Sequence, residues 1–471
     1  MRRITTLSLA SLMLFACDAT QEPVGPVANG INRQALIASD RTVVLRGTVI
    51  VPGGVLKHGY VAILNGRIVS VSEKQPAIPG ALIVNTDGII APGFVDVHNH
   101  VRWNVLPRWT PPRLYVNQPD WADSEEFAAF RRPLEQIEGT MFCDMNKWGE
   151  LRALVGGTTA MLATEPRPCI HGLVRNLDYN SGFYGTTELD REHVYNSGFR
   201  FPIASDLFGR AQLVGLASFL INNSFYEALV MHVAEGTDAF AREQFTFLES
   251  QGLLNPKGVL IHGVPLTLTD LQSMASAGTA LVWSPRSNIE LYGATANISA
   301  ALDAGVEIAL APDWALTGSS NMLDELKFAA QWNSEHLGGR LSDRDLVDMV
   351  TSNAAHAVGV EDEVGEIRTG LRADLIVISG KADNPLRSII DGGVTAVQLV
   401  LIDGVPLYGA REFMEMFWSR DALEEIRFGF GPKKMLASPA AGFMASEISS
   451  RLSPALQAQG SSLAPLSDGG S

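Results

Sequence analysis

The sequence predicts an α/β chain: a (β/α)8, TIM-type barrel with a small β-sandwich domain built from the segments on either side of it. Between residues 93 and 364, apolar strand-like runs alternate with helical stretches, the pattern of a parallel α/β domain. Several of these runs stop on an ionisable residue, as strands do where a barrel carries its chemistry at their C-terminal ends. Two β-rich segments, 37–92 and 365–411, share a texture of clustered β-branched residues and flank everything else.

Composition sets the outer bounds. The 471 residues are 46% apolar and 18% charged, enough to bury a sizeable core and too apolar for disorder throughout. At roughly 100–200 residues per domain, the length allows two or three domains, or one large barrel with an accessory piece. With 36 basic and 51 acidic residues the formal charge is −15. No basic cluster offsets it, which argues against a nucleic-acid binder that tracks phosphates. Past residue 16 no apolar run approaches the ~20 residues of a membrane-spanning helix.

In chain order, residues 1–17 read as a lipoprotein-type export signal. A basic start, Met1-Arg2-Arg3, precedes the apolar ITTLSLASLMLFA, which closes on Leu14-Phe15-Ala16-Cys17. That ending matches a bacterial lipoprotein box apart from the bulk of Phe15. Cys17 is then the expected lipidated residue, and 18–36 a flexible tether. The protein would be exported, facing the periplasm or cell surface, and would touch the membrane only through that anchor. The plainer alternative is a soluble secreted protein in which Cys17 is incidental. Without Cys17 the chain keeps Cys143 and Cys169, either bridged in an oxidising compartment or left as two buried thiols.

Residues 37–92 supply VVLRGTVIV, YVAILNGRIVSV and ALIVNTDGIIAP, strands punctuated by Pro-Gly-Gly and Asn-Gly. The barrel region, 93–364, supplies GFVDVHNH, TTAMLATE, ALVMHVAE, GVLIHGV, ALVWSP and EIALAPD, while 170–222 gives no readable strand. ADLIVISG and VTAVQLVLIDGVPLYG, within 365–411, complete the small domain. Apolar residues at helical spacing predict a docking helix over 412–435. The Ala-, Ser- and Pro-rich stretch 436–471 predicts a mobile tail, with a short helix around ISSRLSPALQAQ as the alternative.

Four strand ends carry candidate chemistry. His98 and His100 close GFVDVHNH, and residues two apart in a strand face the same side. Two imidazoles on one side suit a divalent ion, although H-x-H alone is a weak motif. His232 ends LVMH, His262 ends VLIH and Asp313 closes EIALAPD. Singly, each reads as a core histidine or a helix-capping aspartate. The same placement on four strands instead favours one mononuclear site of three imidazoles and a carboxylate.

These residues resemble the amidohydrolase superfamily, in its mononuclear deaminase and triazine chlorohydrolase branch. The resemblance is carried by APGFVDVHNH, LVMHVAEG, VLIHGVPL, VWSPRSNIELYG, LAPDWALTG and TSNAAHAVGV…VGEIRTGLRADLIVI, in the family's order, from about residue 42 to 408. It implies that His98, His100, His232 and Asp313 hold one divalent ion, zinc first and iron second. It implies that Glu235 is the acid/base that serves the leaving group. His262 would orient and polarise the attacking water, and Asp313 would take a proton from it. Such an ion brings the pKa of its water from 15.7 to about 7, and a carboxyl group must then protonate the departing group. Binuclear branches bridge two ions with a carboxylated lysine. No lysine lies between Trp148 and Pro256, and no signal marks Asp206 or Glu227 as a substitute, so one ion is expected.

The substrate is less legible. RWNVLPRWTPPRLYVNQPDW, with Trp103 near its start, reads either as an aromatic wall over a flat substrate or as a packed surface excursion. Ser287 and Asn288 match the family's loop and are candidate substrate contacts. Arg286 and Arg175 are weaker candidates for holding a carboxylate or carbonyl. His58, His171, His193, His336 and His356 read as structural. The leading expectation is metal-dependent hydrolysis of a C–N bond in a cyclic or heteroaromatic amine or amide. The rivals are a ring-opening cyclic amide hydrolase and a non-catalytic ligand-binding lipoprotein. The expected partner is a small molecule, with self-association left open.

Overall fold

The computed structural model describes residues 41–162, 173–178, 194–197, 205, 207–428 and 433–467. The export signal, Cys17, the tether, Cys169, His171, His193 and Asp206 lie outside the described residues. Cys143 carries a disulfide bond. Among the described residues, no helix is long and apolar enough to cross a membrane.

The first β-rich segment forms β1 (Val43–Val51), β2 (Gly54–Leu64), β3 (Arg67–Ser72) and β4 (Leu82–Pro92). Gly93 alone separates β4 from the first barrel strand, β5 (Phe94–Asp96). There follow β6 (Thr158–Met161), β7 (Arg175–Asn176), β8 (Val194–Ser197), β9 (Ala228–Val233), β10 (Gly258–His262), β11 (Ala280–Trp283) and β12 (Ile308–Leu310). These eight strands form two parallel sheets, β5-β6-β7 and β8 through β12. Single parallel bridges, Asp178 to Val194 and Asn99 to Asp313, tie the two sheets at both edges. The arrangement is a TIM-barrel type α/β fold. In 170–222 the structure has β7 and β8, strands of two and four residues that are too short to show a period of two in sequence.

Packing follows the pleat. Ala228 and Val230 of β9 share one cluster with Val259, Ile261, Val282 and Ala309. Leu229, Met231 and Val233 pack instead against Phe245 and Leu248 of the helix Ala239–Ser250. His232 therefore continues the inward row of β9.

The second β-rich segment gives β13 (Leu375–Ile378), β14 (Val397–Ile402) and β15 (Val405–Ala410), followed by β16 (Leu423–Ile426) and β17 (Lys434–Ala437). As expected, the small β domain is built from both segments that flank the barrel. All nine strands join in one hydrogen-bonded sheet, ordered β16-β17-β15-β14-β13-β4-β1-β2-β3. β4 pairs with β1 on one side and β13 on the other, so it joins the two chain segments. The register shifts in β1 and β2 bend the strands. Two hairpins turn on Asn65-Gly66 and Asp403-Gly404, with φ of 50° and 76°, and 51° and 70°. Positive φ at both central residues is what the tight hairpin turn demands, and Asn or Asp before Gly supplies it.

The helix expected over 412–435 is not there. The segment holds a short helix, Arg411–Met414, then β16, and reaches β17 at Lys434. Phe413, Met414, Trp418 and Ile426 pack on the core from these separate elements, which mimics a helical period in sequence. The tail expected to be mobile holds the helix Ala445–Ala458. Ile448, Leu452 and Leu456, at the i, i+4, i+8 spacing of one helix face, are fully buried. Arg451 pairs with Asp144 of the long helix Glu125–Val155.

Arg175 is likewise corrected as a substrate candidate. Its side chain is fully buried between barrel and sheet, donating to both Asp374 oxygens at 2.9 and 3.0 Å. It also lies 2.8 Å from Asp403, which pairs with Arg372. It fastens the two parts of the molecule together.

Candidate active site and metal centre

Four ligand atoms meet at the C-terminal ends of the barrel strands. His98 Nε2 lies 3.2 Å from His232 Nε2 and 3.2 Å from Asp313 Oδ1. His100 Nε2 lies 3.4 Å from His232 Nε2 and 3.3 Å from the same Asp313 oxygen. Zinc bonds of 2.0–2.1 Å in a tetrahedron separate the ligand atoms by about 3.3–3.4 Å. These four contacts match that spacing, and two groups that share His98 could each hold an ion: His98, His100 and Asp313, and His98, His232 and His262.

Backbone geometry brings them there. The ladder of β5 stops at Asp96, so His98 and His100 lie beyond the strand in which the sequence places them. They are set by the Asn99–Asp313 bridge, in which Asp313 N–H donates to His98 O and His100 N–H to Asp313 O. Asp313 and His262 adopt left-handed backbones, φ 69° and 78°, conformations that cost a non-glycine residue about 1–3 kcal/mol. By the pleat alone, His262 would share the outer side of its cross-strand neighbour Val233. Its positive φ breaks that alternation, and its ring lies 5.5 Å from that of His232.

Burial and neighbouring charge set the protonation states. Burial first, then adjacent imidazoles, push His232 well below the usual histidine range. His98 is lowered by burial, and the same effect takes His262 to about 3. Burial alone would raise Asp313, but His98 and His100 overcome it and hold the carboxyl well below its usual range. Imidazoles whose protonation is disfavoured, His98 and His232, beside a carboxyl held low, Asp313, suit a divalent cation.

Ser284, Ser287, Asn288 and Tyr292 hold these groups from behind, the last three from the helix Pro285–Tyr292. Ser284 Oγ lies 2.9 Å from His98 Nδ1; a proton on that nitrogen leaves Nε2 free to ligate. Ser287 Oγ donates to Asp313 Oδ2 at 2.6 Å. The Asn288 amide lies 3.0 Å from His262 Nδ1, and its oxygen accepts from Thr295, which accepts from the Trp283 indole. With the amide donating to Nδ1, the His262 proton sits on Nε2, 3.6 Å from Glu235 Oε2. In that tautomer His262 is a donor into the site, and its ring also stands close enough to His98 and His232 to form a three-residue group around an ion.

Glu235 lies on the turn after β9, where Gly236 (φ 135°) approaches the segment 115–122 closely. A Cβ at Gly236 would stand 2.3 Å from Val116 O, so only glycine fits. Glu235 Oε1 accepts from Tyr292 Oη at 2.6 Å. The Trp121 indole N–H points at the same pair, 2.7 Å from Tyr292 Oη and 3.4 Å from Oε1.

The expected substrate contacts fall differently. Ser287 and Asn288 are fully buried and act on Asp313 and His262. The guanidinium of Arg286 lies over the Phe328 ring, 5.9 Å from its centroid. Trp103 packs between Phe127 and Trp314, and Trp314 lies 5.5 Å from the His100 ring. Around it, Trp109, Tyr115 and Trp121 are buried in one cluster. The aromatic segment is thus mainly a packed excursion, with Trp121 reaching the site. Its arginines are engaged in ion pairs, Arg108 with Glu290 and Arg113 with Asp120. His336 stacks on Trp332 and His356 pairs with Glu307, both away from the site.

Sequence reasoning missed Ser284, Tyr292, Trp121 and Trp314. Tyr292 follows Asn288 by four residues, one helical turn, and that spacing was its available signal. Trp121 closes the aromatic segment read as a possible wall over the substrate, but nothing singled it out from its neighbours.

The model of the amidohydrolase family matches residues 228–407. The chain is 25% identical, over 345 residues, to a 5-methylthioadenosine/S-adenosylhomocysteine deaminase of Teredinibacter turnerae, spanning 65% of this chain and 73% of that protein. It superposes on a zinc-bound adenosine deaminase from Xanthomonas campestris with a TM-score of 0.60 at 20% identity, covering 77% of this chain and 92% of the other. A mutant atrazine chlorohydrolase from Arthrobacter aurescens, complexed with zinc and atraton, gives 0.61 at 18% identity, covering 78% and 95%.

Proposed function

We propose that this chain, an enzyme of amidohydrolase type acting on carbon–nitrogen bonds, hydrolyses a cyclic or heteroaromatic amine or amide using one zinc ion. The single observation that carries this reading is the set of four ligand atoms at 3.2–3.4 Å, with Glu235 and His262 beside it. A divalent cation held there supplies Lewis acidity and makes a nucleophilic water available at neutral pH. The rest of the work falls to the chain. Asp313, ionised and braced by Ser287, accepts a proton from the attacking water. His262, its Nδ1 held by Asn288, donates from Nε2 toward oxygen. Glu235 delivers a proton to the departing nitrogen, without which attack on a trigonal carbon collapses back. The uncharged aromatic wall beside His100 suits a flat ring, and deamination is the form of hydrolysis that the named relatives favour.

The test has two arms. Purified protein should carry close to one equivalent of zinc, His232→Ala should lose it, and an ammonia-release screen across nucleobases, nucleosides, pterins, triazines and cyclic ureas should find a substrate. A wild-type protein that holds no divalent metal after supplementation would instead support a ligand-binding module. We infer from the leader and the box at Cys17 that the enzyme is exported and lipid-anchored. Labelled fatty acid should enter the wild type and not Cys17→Ser; equal labelling of both would end that inference.

A further inference from the structure

We propose that Tyr292, fixed by Trp121, is the positioning residue that aims Glu235 at the reacting centre. The inference rests on the proton-shuttling role just assigned to Glu235 and adds the residues that make it effective. A glutamate on a turn has several rotamers, and proton transfer needs one of them held within hydrogen-bond reach. Here Tyr292 Oη binds Oε1 at 2.6 Å, while Oε2 stands 3.6 Å from His262 Nε2. The two oxygens are thereby given different tasks. One is tied back to the scaffold and the other is turned toward the groups that surround substrate.

Direction follows from burial and chemistry. An indole N–H can only donate, so Trp121 donates to Tyr292 Oη at 2.7 Å and leaves the phenol proton to point at Glu235. Tyr292 and Trp121 are buried, at 4% and 8% exposure, so water does not compete for these bonds. Burial and the Glu235 carboxylate keep the phenol protonated far above its ordinary range, and it stays a donor at every working pH.

Connectivity adds a second consequence. Tyr292 ends the helix whose Ser287 holds Asp313 and whose Asn288 holds His262. Trp121 belongs to the short helix Gln118–Ala122, docked on the Glu235 turn through Gln118 N–H to Glu235 O and Thr237 N–H to Val116 O. Glu235 is therefore set by two elements that meet only when the segment 115–122 is seated.

The experiment compares Tyr292→Phe, Glu235→Gln and the double variant, each loaded with zinc, on the substrate that the ammonia screen returns. Hydrogen bonds to charged groups are of a size that predicts a loss in kcat of about 10- to 100-fold for Tyr292→Phe. KM should move less than about threefold, since an orienting contact acts in the transition state. Metal content and melting temperature should match wild type. In the Glu235→Gln background, Tyr292→Phe should cost nothing further, because the two act as a unit. Independently of turnover, protein labelled with 5-fluorotryptophan should show the Trp121 fluorine resonance, assigned with Trp121→Phe, shifting in both Tyr292→Phe and Glu235→Gln.

Wild-type kcat in Tyr292→Phe, equal losses in both backgrounds, or a Trp121 resonance indifferent to Glu235→Gln would each overturn the proposal. A Glu235→Gln enzyme as fast as wild type would instead remove the role of Glu235 itself, so the two failures are told apart.

Discussion

Glu235→Gln is expected to keep its zinc and lose between about 10²- and 10⁴-fold in turnover, the range that a positioned general acid or base contributes. The substitution keeps the shape of the side chain and an acceptor oxygen for the Tyr292 hydroxyl, so the local structure should stay. It removes the carboxylate's charge and its ability to carry the exchangeable proton. Metal retention follows from geometry, because Glu235 takes no part in the four contacts of 3.2–3.4 Å that link His98, His100, His232 and Asp313. The measurement is metal analysis beside steady-state ammonia release. Full turnover with full metal would refute the assigned role. Loss of metal together with activity would place Glu235 in the coordination sphere, against the distances. His232→Ala is the mirror case, in which both metal and turnover go.

The parts of this molecule legible in sequence are those where one residue type in one place has one explanation. Apolar, β-branched runs gave six of the eight barrel strands, and four of them close on His or Asp. The residues past those runs gave the ligand set, since His98, His100, His232 and Asp313 stand at strand ends. Where local pattern and tertiary context part company, reading failed. His262 lies on the wrong side of its strand by pleat parity, and only a left-handed backbone, invisible in sequence, turns it inward. Ser287 and Asn288 were recognisable as site residues, but whether a side chain faces substrate or braces a neighbour depends on a helix orientation that spacing does not encode. The helical period over 412–435 came from apolar residues on a short helix and a strand that happen to share a core. A two-residue strand such as β7 has no period to detect.

One feature of the site is set by distance along the chain. Helix Pro285–Tyr292 braces Asp313, His262 and Glu235 from a single stretch of eight residues. Rigidity in that helix is shared by three groups that must act in one step, which is how a supporting layer keeps catalytic geometry within tight limits. Its ends are fixed by Pro285 at the first turn and by Gly293 in the left-handed conformation, φ 66°, the arrangement that starts and stops a short helix most firmly.

Replacing Arg175 with methionine is expected to be the most destabilising of the changes considered, by about 3–5 kcal/mol, the usual result of stripping one partner from a buried ionic group. Arg175 is fully buried, and its partners Asp374 and Asp403 are 3% and 4% exposed, so water cannot replace the lost bonds. Methionine keeps the apolar bulk, and what disappears is the charge. Burial tends to raise the Asp403 carboxyl, but Arg175 and Arg372 outweigh it and hold the group below its ordinary 3.8. A carboxyl lowered by folding contributes stability that is complete above its unfolded pKa and fades as pH falls through its folded one. The gap between wild type and Arg175→Met should therefore be full at pH 7 and narrow below about pH 4, where protonation of Asp403 removes what Arg175 was neutralising. Urea melts of both proteins at pH 7 and in acid read this directly. Adding Asp374→Asn and Asp403→Asn to Arg175→Met should recover much of the loss, because no charge then remains buried without a partner. Equal stability of Arg175→Met and wild type at pH 7 would mean that the barrel and the sheet are held together by their apolar contacts alone.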